Sequence, residues 1–227
     1  DQAYADIHFP EELDHVKPAR RRLVFDELFR LEIALALQKQ HREAQERGVT
    51  HVVGGPLVQT FLSGLPYPLT GAQRRVLDEI SSDLGSARPM RRLLQGEVGS
   101  GKTVVAVASL LSGVEGGWQG AIMAPTEVLA AQHFRGVQML LEEAGMAPDP
   151  EGAGAALGMG SLFDDGDRPV IRLALLTGSQ VATNFAPSAG RSEILEWIAD
   201  GRIDVVAGTH ALIQEGVHFH RLGIAVV

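Results

Sequence analysis

The run from Gly96 to Thr103 fits the spacing Gly-x-x-x-x-Gly-Lys-Ser/Thr. Glycines spaced in this way let successive backbone N–H groups converge on phosphate oxygens with no Cβ in the way. A helix that opens at the lysine aims the positive end of its dipole at the same anion. Gly96, Gly99, Ser100 and Gly101 would line the cradle, Lys102 would neutralise the β- and γ-phosphates, and the Thr103 hydroxyl would hold Mg2+. The chemistry implied is phosphoryl transfer, with Lys102 and Thr103 as its catalytic pair. The alternative is a glycine-rich turn that happens to precede a helix. An apolar strand expected over 92–95 and an apolar helix expected over 102–111 favour the phosphate loop.

Four further segments carry groups suited to the same kind of ligand. Gln73 follows Thr70 upstream of the loop, and its amide offers one donor and one acceptor, as an adenine edge requires. Pro125, Thr126 and Glu127 follow a short apolar run, Thr177, Gly178 and Ser179 follow another, and Gly208, Thr209 and His210 a third. Each stands where a strand's C-terminal end is expected, the place where open α/β sheets bind ligands. Hydroxyls, backbone N–H groups and helix N-termini hold phosphates without reading sequence. Each segment alone could equally be a turn or a helix cap. Their order and spacing as a set are much harder to dismiss. Glu127 is the odd member, since a carboxylate repels phosphate; orienting a neighbour or capping its helix are the roles left to it.

The elements that must position these groups follow from periodicity. Residues 1–20 are expected to be irregular, because Pro10 and Pro18 interrupt any helix. Leu23, Leu28, Leu31 and Leu35 recur at helical spacing from Arg20 to about Gln45, with no glycine or proline until Gly48, which predicts a long amphipathic helix. Residues 48–68 hold four glycines and three prolines and read as a connector. From Leu69 onward, helices alternate with short apolar strands, the pattern of parallel α/β architecture. Helices are expected over 70–84, 102–111, 127–145 and 192–199, and strands over 92–95, 121–124, 172–176, 203–207 and 224–227. The Gly-, Ala-, Asp- and Pro-rich stretch 145–168 is expected to be a surface excursion. The fold class expected is a RecA-like P-loop NTPase lobe with a mainly parallel sheet over 69–227, preceded by a helical connector over 1–68.

The set of motifs resembles superfamily 2 helicases, and its wording is closest to the RecG family. LLQGEVGSGKT, APTEVLAAQH, LLTGS and GTHALIQEGVHFHRLGIAVV are similar to that family's motifs I, Ia and Ib and to the segment before motif II. IHFPEEL and ARRRLVFDELFRLEIALAL resemble the stretch that joins the family's DNA-binding wedge domain to its motor. The resemblance implies ATP and Mg2+ as ligands, Gln73 selecting adenine, and residues 99–103 holding phosphates and metal. It assigns Pro125, Thr126, Thr177, Gly178, Ser179, Gly208, Thr209 and His210 to the DNA backbone. It further implies a monomeric motor for DNA repair and recombination, working on branched double-stranded DNA such as forks and Holliday junctions. The family's Asp-Glu pair follows the strand 224–227, so the 227 residues alone are expected to bind ATP and hydrolyse almost none. Two rivals stay open: a transcription-repair coupling translocase, and a module that binds ATP as a structural ligand.

Composition bounds the remaining classes. Hydrophobic residues make up 45% of the 227 and charged residues 21%, ordinary for a soluble globular protein. No secretory h-region opens the chain, and a cytoplasmic location is expected. Cysteine is absent, which excludes disulfides and thiolate metal sites. The net charge of −8 argues mildly against nucleic acid, but binding follows local patches. No Asn-Lys-x-Asp signature for guanine occurs, and Leu111 to Gly113 only faintly resembles a transporter signature, which Val114 and Glu115 break. His210, His218 and His220 lack a third ligand at telling spacing and are read as non-metal residues. Arg20, Arg21 and Arg22 could contact DNA, pair with Glu11, Glu12 or Asp14, or face solvent. Trp118 and Trp197 are read as packing residues rather than base-stacking platforms.

Overall fold

The computed structural model describes residues 2–45, 48–148, 163–165 and 168–227. The chain divides into two compact units, Asp1–Arg47 and Gly48–Val227.

The first unit is helical. Helix α1 (Gln2–His8) packs on the long helix α2 (Val16–Gln45), with a 3-10 turn at Leu13–His15 between them. The irregular start expected for residues 1–20 is therefore mostly helical. Pro18 does not break α2 because it lies in the first turn, where a backbone N–H has no intrahelical partner to lose. Phe25 and Phe29 stack one turn apart at 5.6 Å, both exposed along with Leu28, Leu31 and Leu35. Arg22 pairs with Asp26 at 3.2 Å within the helix, while Arg20 and Arg21 are exposed.

The second unit is a sheet between helical layers. Five strands, β1 (Gln119–Met123), β4 (Leu173–Leu176), β5 (Val181–Thr183), β6 (Val205–Gly208) and β7 (Leu222–Val226), run in the order β5-β4-β6-β1-β7. All neighbours are parallel except β4 and β5. The small pair β2 (Phe163–Asp165) and β3 (Arg168–Pro169) is antiparallel and separate. Most of the excursion expected over 145–168 lies outside the described residues.

Alternation of side chains along the strands divides the core in two. Leu173, Leu175, Val205, Ala207 and Ile122 face one hydrophobic cluster, which includes α5 (Lys102–Glu115) and α6 (Glu127–Glu143). Ala174, Leu176, Val206 and Ala121 face another, closed by Ile194, Trp197 and Ile198 of α7 (Arg191–Ala199). Burial on both faces is why these strands read as short continuous apolar runs. Helix α5 is itself covered by α3 (Pro56–Gly64) and α4 (Gly71–Leu84), so Val104 to Val114 is buried nearly all round, with Ser109 and Ser112 bonded back to the Val105 and Ala108 carbonyls.

Three differences from the sequence reading have physical causes. Residues 56–64 of the glycine- and proline-rich stretch form α3, with Pro56 at its start, and bury Leu57 and Phe61 in the core. The strand expected over 92–95 makes no ladder among the described residues. Arg92 instead binds Asp83 at 2.5 Å and Glu79 at 2.6 Å, both on α4, and Leu93 is 91% exposed. Strand β5 was not expected, because three residues are too few to show an alternation.

Both tryptophans pack, as expected. Trp197 is buried against Phe185 at 5.3 Å, and Trp118 lies edge-on to His51 at 6.2 Å with the Arg221 guanidinium 4.3 Å from its ring. At the N-terminal end of the sheet, the Asp204 carboxylate accepts the Arg172 N–H at 2.7 Å. Burial pushes this carboxyl from its ordinary 3.8 up to about 6, against the opposing effect of the Arg172 hydrogen bond. The folded state therefore holds the proton more tightly than the unfolded chain. Its stabilising effect is complete below about pH 3.8 and is lost as pH rises through about 6. Asp204→Asn keeps an acceptor for Arg172 and removes the titration. In urea unfolding, Asp204→Asn should exceed the native protein at pH 7.5 by up to about 3 kcal/mol and match it near pH 4. A difference that is the same at both pH values would show that the carboxyl does not titrate this way.

Candidate nucleotide and nucleic-acid site

The phosphate loop has the backbone that its glycines permit. Gly99 and Gly101 adopt φ of 82° and 77°, left-handed values that a side chain would strain. Gly101 is the N-cap of α5 and no side chain caps that helix, so the first-turn amides face the loop. Lys102 Nζ donates to the carbonyls of Gly96 and Glu97 at 2.8 and 2.9 Å, which folds its charge into the cradle. Thr103 lies one residue further along the first turn. This donor set fits a polyphosphate with its cation: converging amides, one ammonium and one hydroxyl.

Gln73 is brought to the loop. Thr70 caps α4 by accepting the Gln73 N–H at 3.2 Å, and Gln73 Oε1 accepts the Thr70 N–H at 2.8 Å. Its Nε2 donates to the Ser100 carbonyl at 3.0 Å. The amide thus joins α4 to the loop, a structural part that its sequence position did not disclose.

The other three segments line up by register. Met123 and Leu176 are both paired with Gly208, so β1, β4 and β6 end in one row. The Ala124 N–H donates to the Gly208 carbonyl at 2.8 Å. Residues 125–127, 177–179 and 208–210 therefore leave the same edge of the sheet. Pro125 and Thr126 are exposed, and Thr126 Oγ1 caps α6 by accepting the Leu129 N–H at 3.3 Å. Thr209 caps the 3-10 turn His210–Ile213, and His210 is exposed. Thr177 is fully buried and Gly178 and Ser179 are exposed. The Thr177 hydroxyl accepts the Gln180 N–H at 2.9 Å and so closes the turn between β4 and β5.

Glu127 takes the orienting role that its sequence left open. Its carboxylate accepts the Ser179 N–H at 2.9 Å and the Ser179 hydroxyl at 2.5 Å. The Ser179 hydroxyl and amide hold it below the usual carboxylate range, with Thr177 and Gly178 adding to the effect. Arg191, which no spacing rule singled out, donates from Nη1 to the Thr177 carbonyl at 2.6 Å.

Comparison with known proteins agrees with this fold. The DEAD/DEAH box helicase family model matches residues 70–154. The ATP-dependent DNA helicase RecG of Synechocystis is 42% identical over 225 residues, covering 99% of this chain and 23% of that protein. RecG of Thermotoga maritima is 39% identical over 225 residues, covering 99% of this chain and 25% of that one. A solved structure described as RecG bound to a three-way DNA junction aligns with a TM-score of 0.73 at 39% identity, over 98% of this chain and 26% of that one. The fold is that of a DEAD/DEAH box helicase lobe, a class that binds ATP. The chain is similar to one region of these RecG proteins and spans about a quarter of their length.

Proposed function

We propose that this chain supplies the first motor lobe, over residues 69–227, of an ATP-dependent double-stranded-DNA translocase that remodels forks and Holliday junctions in repair and recombination. Residues 1–68 serve as the connector to a wedge domain, and the motor works as a monomer in the cytoplasm. The observation that carries this reading is the shared sheet edge from which residues 125–127, 177–179 and 208–210 emerge, within a unit that also holds the phosphate loop. Similarity to RecG proteins, one of them described as bound to a three-way DNA junction, supplies the branched substrate.

In this reading Gly96, Gly99, Ser100 and Gly101 seat the ATP phosphates, Lys102 neutralises them and Thr103 holds Mg2+. Gln73 selects adenine and links that selection to the loop through Ser100. Pro125, Thr126, Gly178, Ser179, Thr209 and His210 meet the DNA backbone, while the buried Thr177 and Gly208 shape the turns that present them. The 227 residues alone bind ATP and turn over almost none, because neither Lys102 nor Thr103 can activate the attacking water.

The test is DNA-stimulated ATP hydrolysis by the full-length protein, comparing a four-way junction, linear duplex and RNA. Strongest stimulation by the junction is expected. Equal stimulation by plain duplex would remove the branch specificity and favour a polymerase-displacing translocase. No stimulation by any of them would favour a module that binds ATP as a structural ligand.

A further inference from the structure

The turn Thr177–Gln180 closes on itself through two backbone-directed bonds. The Thr177 N–H donates to the Gln180 carbonyl at 2.9 Å, and the Gln180 N–H returns to the Thr177 hydroxyl at 2.9 Å. What the turn still presents outward is the Thr177 carbonyl at one pole and the Ser179 N–H and hydroxyl at the other. Each pole meets an opposite charge. The Arg191 guanidinium donates to the carbonyl at 2.6 Å, and the Glu127 carboxylate accepts both Ser179 donors at 2.9 and 2.5 Å. Bonds of this charge-assisted kind are the stronger class.

The two charges come from opposite layers. Glu127 is the first residue of α6, whose Ala130, Phe134 and Val137 belong to the core on one face of the sheet. Arg191 is the first residue of α7, whose Ile194, Trp197 and Ile198 belong to the core on the other. The turn is thus strapped between both helical layers at the sheet edge. A Cβ at Gly178 would lie 2.9 Å from Glu127 Oε1, so the carboxylate sits directly against the backbone there.

We propose that Arg191 and Glu127 are a pair of positioning residues that hold the Thr177–Ser179 turn in its DNA-gripping shape. This rests on the assignment of that turn to the DNA backbone. Neither side chain contributes to the grip as a phosphate ligand. Glu127 has the wrong charge for one, and Arg191 directs its Nη1 to the Thr177 carbonyl, which sets its part as holding the turn.

The experiment measures anisotropy of a fluorescein-labelled three-way junction bound by the full-length protein, across a salt series, beside binding of a fluorescent ATP analogue. Arg191→Ala and Glu127→Ala should each weaken DNA binding about tenfold or more, in line with lost hydrogen bonds to charged groups. The slope of log affinity against log salt and the ATP affinity should stay unchanged. Arg191→Lys, which keeps a charged donor, should recover most of the loss, and Glu127→Gln, with one acceptor left, should fall between. The Lys and Gln variants keep the test open where an alanine variant fails to fold. A slope reduced by about 0.9 in Arg191→Ala would make that residue a phosphate ligand and overturn the proposal. DNA affinity equal to the native protein in all variants would overturn it while leaving the turn's assignment standing. Absence of DNA binding by the native protein would remove the assignment and the proposal together.

Discussion

Lys102→Ala is expected to lower affinity for Mg-ATP by about a hundredfold or more, while leaving the fold intact. A charge-assisted contact to phosphate contributes about 1.5–3 kcal/mol net, and in the proposed site the ammonium would face more than one phosphate oxygen. Among the described residues, Lys102 Nζ bonds two carbonyls of its own loop, those of Gly96 and Glu97. Its removal therefore takes nothing from the core, and the unfolding midpoint in urea should move by less than about 0.5 kcal/mol. Titration with a fluorescent ATP analogue measures the first quantity and urea unfolding the second. Retained ATP affinity would show that the loop does not hold phosphate. A large stability loss would show that the lysine is structural.

Gly208→Ala is expected to give the largest stability loss, about 3 kcal/mol or more. A Cβ on Gly208 would stand 2.2 Å from the Leu176 carbonyl and 2.8 Å from Leu212 Cδ2. Leu176 is its partner across the β4–β6 ladder, so the obstacle is backbone and cannot swing aside. Relief requires the end of β6 to move away from β4, which also displaces Thr209 and the row it shares with Met123. Urea unfolding should show the loss, and DNA binding should weaken with it at temperatures where the variant is still folded. A variant as stable as the native protein would mean that the two strand ends are not in contact as described.

Parts of the fold were legible because they are local. The phosphate loop could be found because backbone convergence on an anion demands glycines at fixed intervals, and Gly99 and Gly101 do adopt the left-handed φ that the spacing implies. Thr70 was legible as a helix cap because capping joins residues three apart, and its bond to Gln73 is of that kind. The strands β1, β4 and β6 were legible because burial on both faces leaves an apolar run in sequence, and β7 by its own apolar run although only Ile224 of it is buried. Other parts were hidden. α3 was missed because glycine and proline mark turns and helix starts alike, and Phe61 shows its burial only once α5 is in place. The stretch 92–95 has the apolar pair of a strand, yet Arg92 finds Asp83 and Glu79 on α4.

Sequence alone pointed to a phosphate loop on a parallel α/β lobe, because both are written in short intervals, and the likeness of its motifs to a known family supplied the helicase class. Only the tertiary structure decided how the strand-end segments work together. Met123, Leu176 and Gly208 come from distant parts of the chain and share one row through ladder register. Glu127 meets Ser179 across 52 positions. Gln73 crosses 27 to reach Ser100. Such meetings arise from packing of layers, which depends on the whole chain and leaves no local periodicity to read.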